Sequence, residues 1–379
     1  MNRERGLQLA AHPVAYPLVR GLARIAPVVR VPRVGVVVSD AALAKRVLTD
    51  TRHFTKTGPG SPAQLWTPVV GPTVLLNMEG AAHGELRRKL SGLFTPGAVA
   101  ALCARVADEP MASLRAELAA GRRVDLVAVV RNLVGAVICE LVGLDPAGAG
   151  PALAAGTAVT SMIRLGRPGL TPAQVRAGRA ALGELTRPAA RAYAEGDPAT
   201  VPGRMRALGL TEEEALGAVA AFVLTGTETL VSYVPRLIAL LHDSGWLPRL
   251  AADRDRVDDV VAEALRVTVP SPVMLRSVAA DTTIGRVRVR AGDRVVIATI
   301  SAARAYGGFD PDRPHPVEVR QLWFGAGPHF CLGMPLANAE IRAVLTAVLD
   351  AAPVSVVDRK VARRVLIPGY ERLVLRGGR

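Results

Sequence analysis

The chain has 379 residues, half of them hydrophobic, and a formal charge of +14 from 47 basic and 33 acidic side chains. This length suggests two or three domains, although large single domains are common, and it can bury a sizeable core. Aromatic residues make up only 4% of the chain, and no run of basic residues is interleaved with aromatic ones. Both observations argue against nucleic-acid binding. Cys103, Cys139 and Cys331 lie far apart. Their spacing argues against a zinc cluster or a disulfide framework and fits a reducing cytoplasm.

Nearly all the basic residues are arginine, and the lysines are Lys45, Lys56, Lys89 and Lys360. The bias has two explanations that the sequence leaves open: a GC-rich genome, or a basic face for an acidic partner or acidic ligand groups. The first residues lead into no apolar core of signal-peptide length, so we expect no secretory leader.

The first quarter of the chain is predicted to contain helices, one hairpin and one long loop. The residues up to about position 26 are predicted to form a short N-terminal leading segment and a first helix. The valine-rich segment 28–39 predicts a hairpin. Residues 41–49 predict a helix. Prolines and glycines between positions 58 and 77 predict a long irregular stretch, which in a compact domain is more often functional than not.

The middle of the chain is predicted to be helical from about residue 83 to Pro270. The segment 83–93 has the pattern of a basic amphipathic helix. Breaks are predicted near Gly143, at 166–168 and between 196 and 203.

One apolar segment, Leu216 to Val234, is about long enough to cross a membrane. Glu228 and several hydroxyl groups interrupt it, and three glutamates precede it. We therefore predict a long helix buried inside a large protein.

After Pro270 the sequence pattern changes from helical to strand-like. Apolar and charged side chains alternate over residues 283–290, which predicts a strand. A turn and a second strand over residues 295–297 follow, so the segment is predicted to form a half-exposed antiparallel hairpin. A coil is predicted over 306–316, and a final β-like stretch over 354–375.

The ten residues from Phe324 to Gly333 place Cys331 in a glycine-rich loop before a helix. A sulfur there meets free backbone N–H groups and the positive end of the helix dipole, which favour thiolate over thiol. Gly325 and Gly327 can take backbone angles closed to other residues and can let the main chain press against a flat partner. With His329 to bind an acid at its edge, that partner is predicted to be heme with cysteine-ligated iron. The alternative is a buried free cysteine.

A second polar cluster, Thr225 to Thr229, lies in the middle of the long apolar segment. Such groups are costly in a buried helix unless they form hydrogen bonds. One interpretation is a satisfied polar patch at a helix contact. The functional one is a local opening that admits a diatomic ligand and water, with Thr229 relaying protons and Glu228 supplying them.

The loop matches every fixed position of the heme-binding signature of the cytochrome P-450 family, so the chain resembles that family. Further motifs agree in order: His83-x-x-x-Arg87, Gly226-x-Glu228-Thr229, Glu263-x-x-Arg266 and Arg276. Thr225 replaces the usual small residue of the distal motif, and Pro235 continues the departure. The resemblance covers the chain from His83 onward. It implies a mainly α fold with small antiparallel β-sheets, and heme between the long distal helix and the helix after the cysteine loop. It also implies that residues 1–379 form a single heme domain.

The resemblance also implies roles for individual residues. Cys331 is the iron ligand, and Thr229 and Glu228 are catalytic. The cofactor-binding set is completed by these residues: His83, Arg87, Arg276, His329, Phe324, Gly325 and Gly333. Glu263 and Arg266 form a structural set with Arg313. Gln321 stands where many bacterial members carry a histidine.

The implied activity is insertion of one oxygen atom from O2 into a hydrophobic polyketide, terpenoid, steroid-like or peptide substrate, with heme b as cofactor. An acidic ferredoxin and its reductase would deliver electrons at Arg87, Arg88 and Arg342. A cytoplasmic monomer with neither a nucleic-acid nor a membrane partner is expected. We expect the substrate pocket to be lined by segments 58–77, 162–168 and 367–369, with Phe222, Thr225, Val273 and Met274.

Three alternatives remain open at this point. A heme-thiolate enzyme could perform oxidative coupling, ring closure or peroxide-driven chemistry without net oxygen insertion. A non-catalytic heme protein is opposed by Glu228 and Thr229. A basic nucleic-acid binder would show salt-dependent binding.

Overall fold

The computed structural model describes residues 2–145, 148–162 and 169–378. The predicted break at 166–168 lies outside the described residues. The helices are α1 (Asn2–Ala11), α2 (Ala15–Ile25), α3 (Ala41–Thr49), α4 (Pro62–Val70), α5 (Gly80–Ser91), α6 (Pro96–Val106), α7 (Asp108–Ala119), α8 (Leu126–Val142), α9 (Ala149–Ser161), α10 (Pro172–Glu195), α11 (Val201–Ala207), α12 (Glu212–Asp243), α13 (Trp246–Ala252), α14 (Val257–Thr268), α15 (Thr299–Arg304) and α16 (Met334–Asp350). The strands are β1 (Val28–Val31), β2 (Gly35–Val38), β3 (Phe54–Thr55), β4 (Arg123–Asp125), β5 (Met274–Val278), β6 (Thr282–Ile284), β7 (Val287–Val289), β8 (Arg294–Ile297), β9 (Val354–Val361) and β10 (Tyr370–Gly377).

Helix α12 forms the centre of the helical region, where it packs against α8, α9, α10 and α16. It starts with a capping box in which Thr211 and Glu214 exchange side chain-to-backbone hydrogen bonds, which satisfies two otherwise unpaired N–H groups. Among the described residues, α12 alone is long and apolar enough to cross a membrane by length and composition. In its most apolar 18-residue window, 61% of the residues are buried inside the protein, as predicted for a core helix.

Two predicted helix breaks are confirmed as C-terminal glycine caps. Gly143 ends α8 with φ 75° and Gly196 ends α10 with φ 71°. Both angles lie in the left-handed region, which glycine adopts without a steric penalty.

The strands form small sheets beside the helices. A five-stranded sheet has the order β1-β2-β8-β5-β3, a three-stranded sheet the order β4-β10-β9, and β6 pairs with β7. The predicted hairpin at 28–39 is confirmed by the antiparallel pairing of β1 and β2. Apart from the parallel pair β2–β8, the strand pairs are antiparallel.

The predicted hairpin over residues 283–297 is wrong in its pairing. Strand β6 turns back at Gly285, which has φ 58°, and pairs with β7. Strand β8 instead lies between β2 and β5, and its Val295 and Ile297 are fully buried. The alternation predicted that β8 would be half-exposed. As an inner strand of the sheet, β8 instead buries its apolar side chains.

The segment 58–77 is less irregular than predicted, because α4 lies within it. Ser61 accepts a hydrogen bond from the Gln64 N–H at the start of this helix. Pro62 takes the first helical position, where its missing N–H costs nothing. Ser61 and Pro62 therefore begin a helix within the segment that was predicted to be irregular.

Glu263 and Arg266 form a buried ion pair on α14, with Oε2 and Nε 2.7 Å apart. Arg266 also donates to the carbonyl oxygens of Ala303 and Gly308. The prediction that Arg313 joins this pair is wrong, since its Nη2 donates to Asp310 Oδ2 at 3.0 Å instead. His315 takes that place, with Nε2 2.8 Å from Glu263 Oε2.

We expect Glu263→Gln to lower the free energy of unfolding by about 3–5 kcal/mol, because it leaves the Arg266 charge buried without its partner. Urea denaturation of the purified variant measures this effect. Arg313→Gln is the matched control, since its ion pair is exposed and worth about 1 kcal/mol or less. Equal losses in both variants would contradict the structural role of the Glu263–Arg266 pair.

Candidate active site

A cavity of about 580 Å³ lies between α12 and the loop that precedes α16. It is lined by both halves of the predicted site, Thr225, Gly226 and Thr229 on α12 and Cys331 in the loop. The other predicted residues along its wall are His83, Arg87, Arg276, Phe324, Gly325, His329 and Gly333. Residues that lie up to 250 positions apart in sequence therefore meet at one chamber.

The loop around Cys331 adopts the backbone that the glycines were expected to permit. Gly325 has φ 82° and Gly327 φ 66°. The Cys331 N–H donates to the Phe324 carbonyl oxygen at 2.9 Å. A Cβ atom at position 327 would lie 2.9 Å from the Leu48 carbonyl oxygen, so Gly327 presses against the end of α3. Gly325 is the glycine of this pair that lines the cavity.

Cys331 lines the cavity, and its side chain is exposed to that open space while protein surrounds it on the other sides. Burial raises the pKa of the thiol, although the backbone N–H groups of Gly333 and Met334 and the charge of Arg87 act to lower it. The loop alone therefore does not produce the thiolate that was predicted. A metal cation at the sulfur overcomes this burial cost, because a coordinating thiol is deprotonated outright.

One end of the cavity is strongly cationic. Lys56, Arg87 and Arg276 line it, and beside them lies the carboxylate of Glu79, whose Oε2 is 2.8 Å from His329 Nε2. Burial raises the pKa of Glu79, but hydrogen bonds from His329 and the Lys56 N–H lower it to about 2. Two arginines beside one ionised carboxylate leave an excess of positive charge at this end, and Lys56 adds to it whenever it is protonated.

The histidines at this end are held neutral by their surroundings. Burial, with the neighbouring His329, lowers the pKa of His83 to about 4. Its Nε2 is buried without a hydrogen-bond partner among the described residues. A neutral imidazole can donate to a carboxylate. An excess of positive charge, an unpaired imidazole nitrogen and a sulfur facing the same chamber fit a flat group with carboxylates at its edge and a thiol-binding metal, as heme is.

Lys56 was not identified from the sequence, although it is one of only four lysines in an arginine-rich chain. It follows the short strand β3, and no regular pattern marks its side chain as inward-facing. Burial, with the charge of Arg276, lowers the pKa of Lys56 to about 7. An ammonium group that is this poorly solvated is poised to bind an anion.

We expect Lys56→Met to stabilise the heme-free protein at pH 7 by about 2–4 kcal/mol, since each pKa unit corresponds to about 1.4 kcal/mol and cavity water screens part of the effect. The folded pKa of about 7 lies below the ordinary value of 10.5. The penalty in the parent protein is therefore complete below pH 7 and disappears as pH rises towards 10.5. Urea unfolding from pH 6 to 10 measures it.

Lys360→Met, at an exposed ion pair, is the matched control and should leave that pH profile unchanged. With heme bound, Lys56→Met should instead speed heme transfer to an acceptor apoprotein. If Lys56→Met keeps both the pH profile and the rate of heme loss of the parent, then Lys56 neither destabilises the heme-free protein nor helps to hold heme.

The distal helix is continuous through Gly226, so the local opening expected at this position is not present within α12. The Thr229 hydroxyl lies 3.3 Å from the Thr225 carbonyl oxygen. Glu228 is not among the cavity-lining residues, and its Oε1 accepts a hydrogen bond from Thr157 of α9 at 2.7 Å. The two predicted catalytic side chains thus lie on different sides of α12.

The substrate-side wall of the cavity is mainly aliphatic and aromatic. Trp66, Phe222, Val273 and Met274 line it as expected. The predicted segment 367–369 does not line the cavity, whereas Leu366, the residue before it, does. Met162 is not in the lining, and residues 163–168 lie outside the described part of the chain. Gln321 is exposed, away from the cavity wall.

The chain is similar to known proteins in both sequence and structure. The family model described as Cytochrome P450 matches residues 252–365. The Erythromycin C-12 hydroxylase of Saccharopolyspora erythraea is 31% identical over 80% of this chain and 78% of that protein. A putative cytochrome P450, YjiB of Bacillus subtilis, is 33% identical, with matching parts that cover 38% of this chain and 37% of YjiB. The structure of a mutant of P450 EryK in complex with erythromycin B superposes with a TM-score of 0.83, at 26% identity and 98% coverage of both chains.

Proposed function

The chain belongs to the cytochrome P450 family and is a cytochrome P450 monooxygenase, and we propose that it inserts one oxygen atom from O2 into a bulky hydrophobic natural product. The observation that carries this proposal is the single chamber shared by Cys331 and Thr229. Its aliphatic wall suits an apolar molecule. The relatives named for erythromycin support a macrocyclic polyketide as the first substrate class to test, ahead of terpenoid, steroid-like and peptide substrates.

The family implies a heme iron cofactor, and we propose heme b. When bound, heme supplies O2 activation at a cysteine-ligated iron, where the thiolate favours O–O cleavage. Cys331 would bind the iron. Arg87, Arg276, His83 and His329 would bind the carboxylates, since arginine matches both oxygens of such a group. Phe324, Gly325 and Gly333 would shape the surface against the flat ring.

We propose that Thr229 and Glu228 divide the handling of protons between two sides of α12. Thr229 holds a hydroxyl group at the cavity, where it can orient water and pass on a proton. Glu228 would supply protons from the α9 side, where it accepts the Thr157 hydroxyl. Release of that bond would free the carboxylate to exchange protons with water.

A separate acidic ferredoxin is the proposed electron donor. Arg88 on α5 and Arg342 on α16 are exposed, and Arg342 pairs with Asp258. Arg87 lines the cavity, so we leave it out of the docking patch. Reversal of both charges, Arg88→Glu with Arg342→Glu, should slow ferredoxin-driven reduction about tenfold or more at low salt, because charge steering sets the encounter rate. Unchanged rates in stopped-flow reduction would exclude this docking face.

We further propose that residues 1–379 form one heme domain that works as a cytoplasmic monomer, with neither a nucleic-acid nor a membrane partner. Sedimentation velocity of the purified protein tests the monomer, with a dimer as the contrary result.

The function is tested with dioxygen labelled with the heavy oxygen isotope and a panel of macrocyclic polyketides. If the enzyme inserts oxygen from dioxygen, mass spectrometry should find the heavy isotope in the product. Oxidised product without label would favour the alternative, oxidative coupling or ring closure. No turnover with any class, despite a normal carbon monoxide spectrum, would reject the proposed substrate range.

A further inference from the structure

We propose that a buried ion pair, Glu4 with Arg236, positions two segments of the substrate cavity wall, so that α1 helps to determine which ligands fit. Neither residue lines the cavity. They are positioning residues that act through the backbone segments they hold. The inference rests on the proposed function only in assuming that this cavity receives the substrate.

Arg236 lies on α12, two turns after Thr229, and is 1% exposed. Its Nη2 forms an ion pair with Glu4 Oε1 and donates to the Thr268 carbonyl oxygen. Its Nη1 donates to the Pro368 carbonyl oxygen at 3.1 Å. One guanidinium group thus joins α1, the end of α14 and the loop between β9 and β10, which its planar set of donors permits.

Both backbone segments that Arg236 holds continue directly into the cavity wall. Thr268 precedes the wall residues Pro270, Ser271 and Val273. Pro368 lies two residues after the wall residue Leu366. A shift of either carbonyl group would therefore move side chains that face a ligand.

The loop between β9 and β10 has further ties to the same elements. Ser232 Oγ donates to the Pro368 carbonyl oxygen at 2.5 Å. His12 Nε2 lies 3.0 Å from the Leu366 carbonyl oxygen, and the Arg364 N–H donates to the Ala10 carbonyl oxygen at 3.0 Å. Residues 362–369 are therefore fixed by α12 on one side and by the end of α1 on the other.

The charge of Glu4 is what makes this arrangement possible. Glu4 is 7% exposed, and Gln8 donates to its Oε1. A buried guanidinium group without a carboxylate partner is costly and draws in water or moves. Loss of Glu4 should then release the carbonyl groups of Thr268 and Pro368 from their fixed positions.

The test uses the heme-loaded full-length enzyme and two iron-binding azoles, imidazole as a small probe and clotrimazole as a bulky one. In Glu4→Gln and in Ser232→Ala, the dissociation constant for clotrimazole should change about tenfold, as for the loss of a buried hydrogen bond. That for imidazole should change less than about twofold, because a small ligand does not reach the wall. Glu117→Gln is the control, since Glu117 on α7 pairs with Arg122, and this ion pair includes neither α1 nor a wall segment.

A purely structural role would lower the melting temperature while leaving the ratio of the two dissociation constants as in the parent, and that outcome overturns the proposal. If Glu4→Gln does not fold, Ser232→Ala and His12→Asn each remove one tie without leaving a buried charge. Hydrogen exchange provides a readout independent of turnover. Peptides covering 268–275 and 362–369 should lose protection in the variants but not in the control, and unchanged protection also overturns the inference. If the cavity does not hold heme, the parent enzyme shows no azole spectrum, whereas the exchange result still stands. If it holds heme but inserts no oxygen, the labelled-dioxygen experiment fails while both azole dissociation constants remain measurable.

Discussion

Cys331→Ser is expected to abolish both oxygenation and the absorption band of the reduced, carbon monoxide-treated enzyme that lies to the red of the band of histidine-ligated heme. A serine hydroxyl is a poorer ligand for iron than a thiolate and does not donate the same electron density. Activity should fall to the background of the assay, a loss of at least about a thousandfold, since the chemistry depends on the ligand and not on binding alone. The reduced carbon monoxide difference spectrum and product formation measure the two effects.

Cys103→Ser is the matched control for that variant. Cys103 is half-buried on α6 and does not line the cavity, and burial raises the pKa of its thiol to about 11. This variant should keep both the band and the activity. Survival of the band in Cys331→Ser, or its loss in Cys103→Ser alone, would show that Cys331 is not the iron ligand.

Thr229→Ala is expected to lower product formation about a hundredfold, the lower end of what a positioned proton-transfer group contributes. Oxygen consumption should fall much less, because the cavity and the proposed iron ligand are unchanged. The ratio of product formed to oxygen consumed therefore separates a proton defect from a binding defect. It is measured with an oxygen electrode and product analysis on the same sample.

Thr225→Ala, one turn earlier on α12, is the comparison for Thr229→Ala. Thr225 also lines the cavity, and its hydroxyl donates to the Ala221 carbonyl oxygen at 2.8 Å, which is a shorter bond than the one of 3.3 Å from the Thr229 hydroxyl to the Thr225 carbonyl oxygen. We expect a change of less than about threefold, because a hydroxyl engaged in the helix relays protons poorly. Equal losses in the two variants would assign the effect to the shape of the helix and not to Thr229.

The sequence located the site residues that belong to contiguous motifs. The signature from Phe324 to Gly333 was legible because glycines with positive φ have few substitutes at a tight turn. His83 and Arg87 were identified through the resemblance to the family motif His-x-x-x-Arg, which places the two side chains one helical turn apart. Their common chamber could not be derived from spacing, since it depends on how α5, α12 and the loop pack together.

The errors concern residues whose neighbours are distant in sequence. His315, and not Arg313, joins Glu263 because the coil from Tyr306 to Pro316 folds back over α14. Strand β8 was assigned to the wrong partner because a short apolar run does not specify which strand lies beside it. Lys56 was missed because a charged side chain ordinarily indicates a surface.

Residue patterns along the chain were enough to identify the family, the helical class of the fold and the cysteine that would bind the iron, because these depend on local motifs. The packed structure was needed to show that Glu228 faces Thr157 away from the cavity, and that Lys56 adds a cation at the carboxylate-binding end. It also decided that Arg236 holds two segments of the cavity wall. These facts depend on the direction of a side chain and on burial against remote segments. Packing sets both, and the pattern of residues along the chain does not.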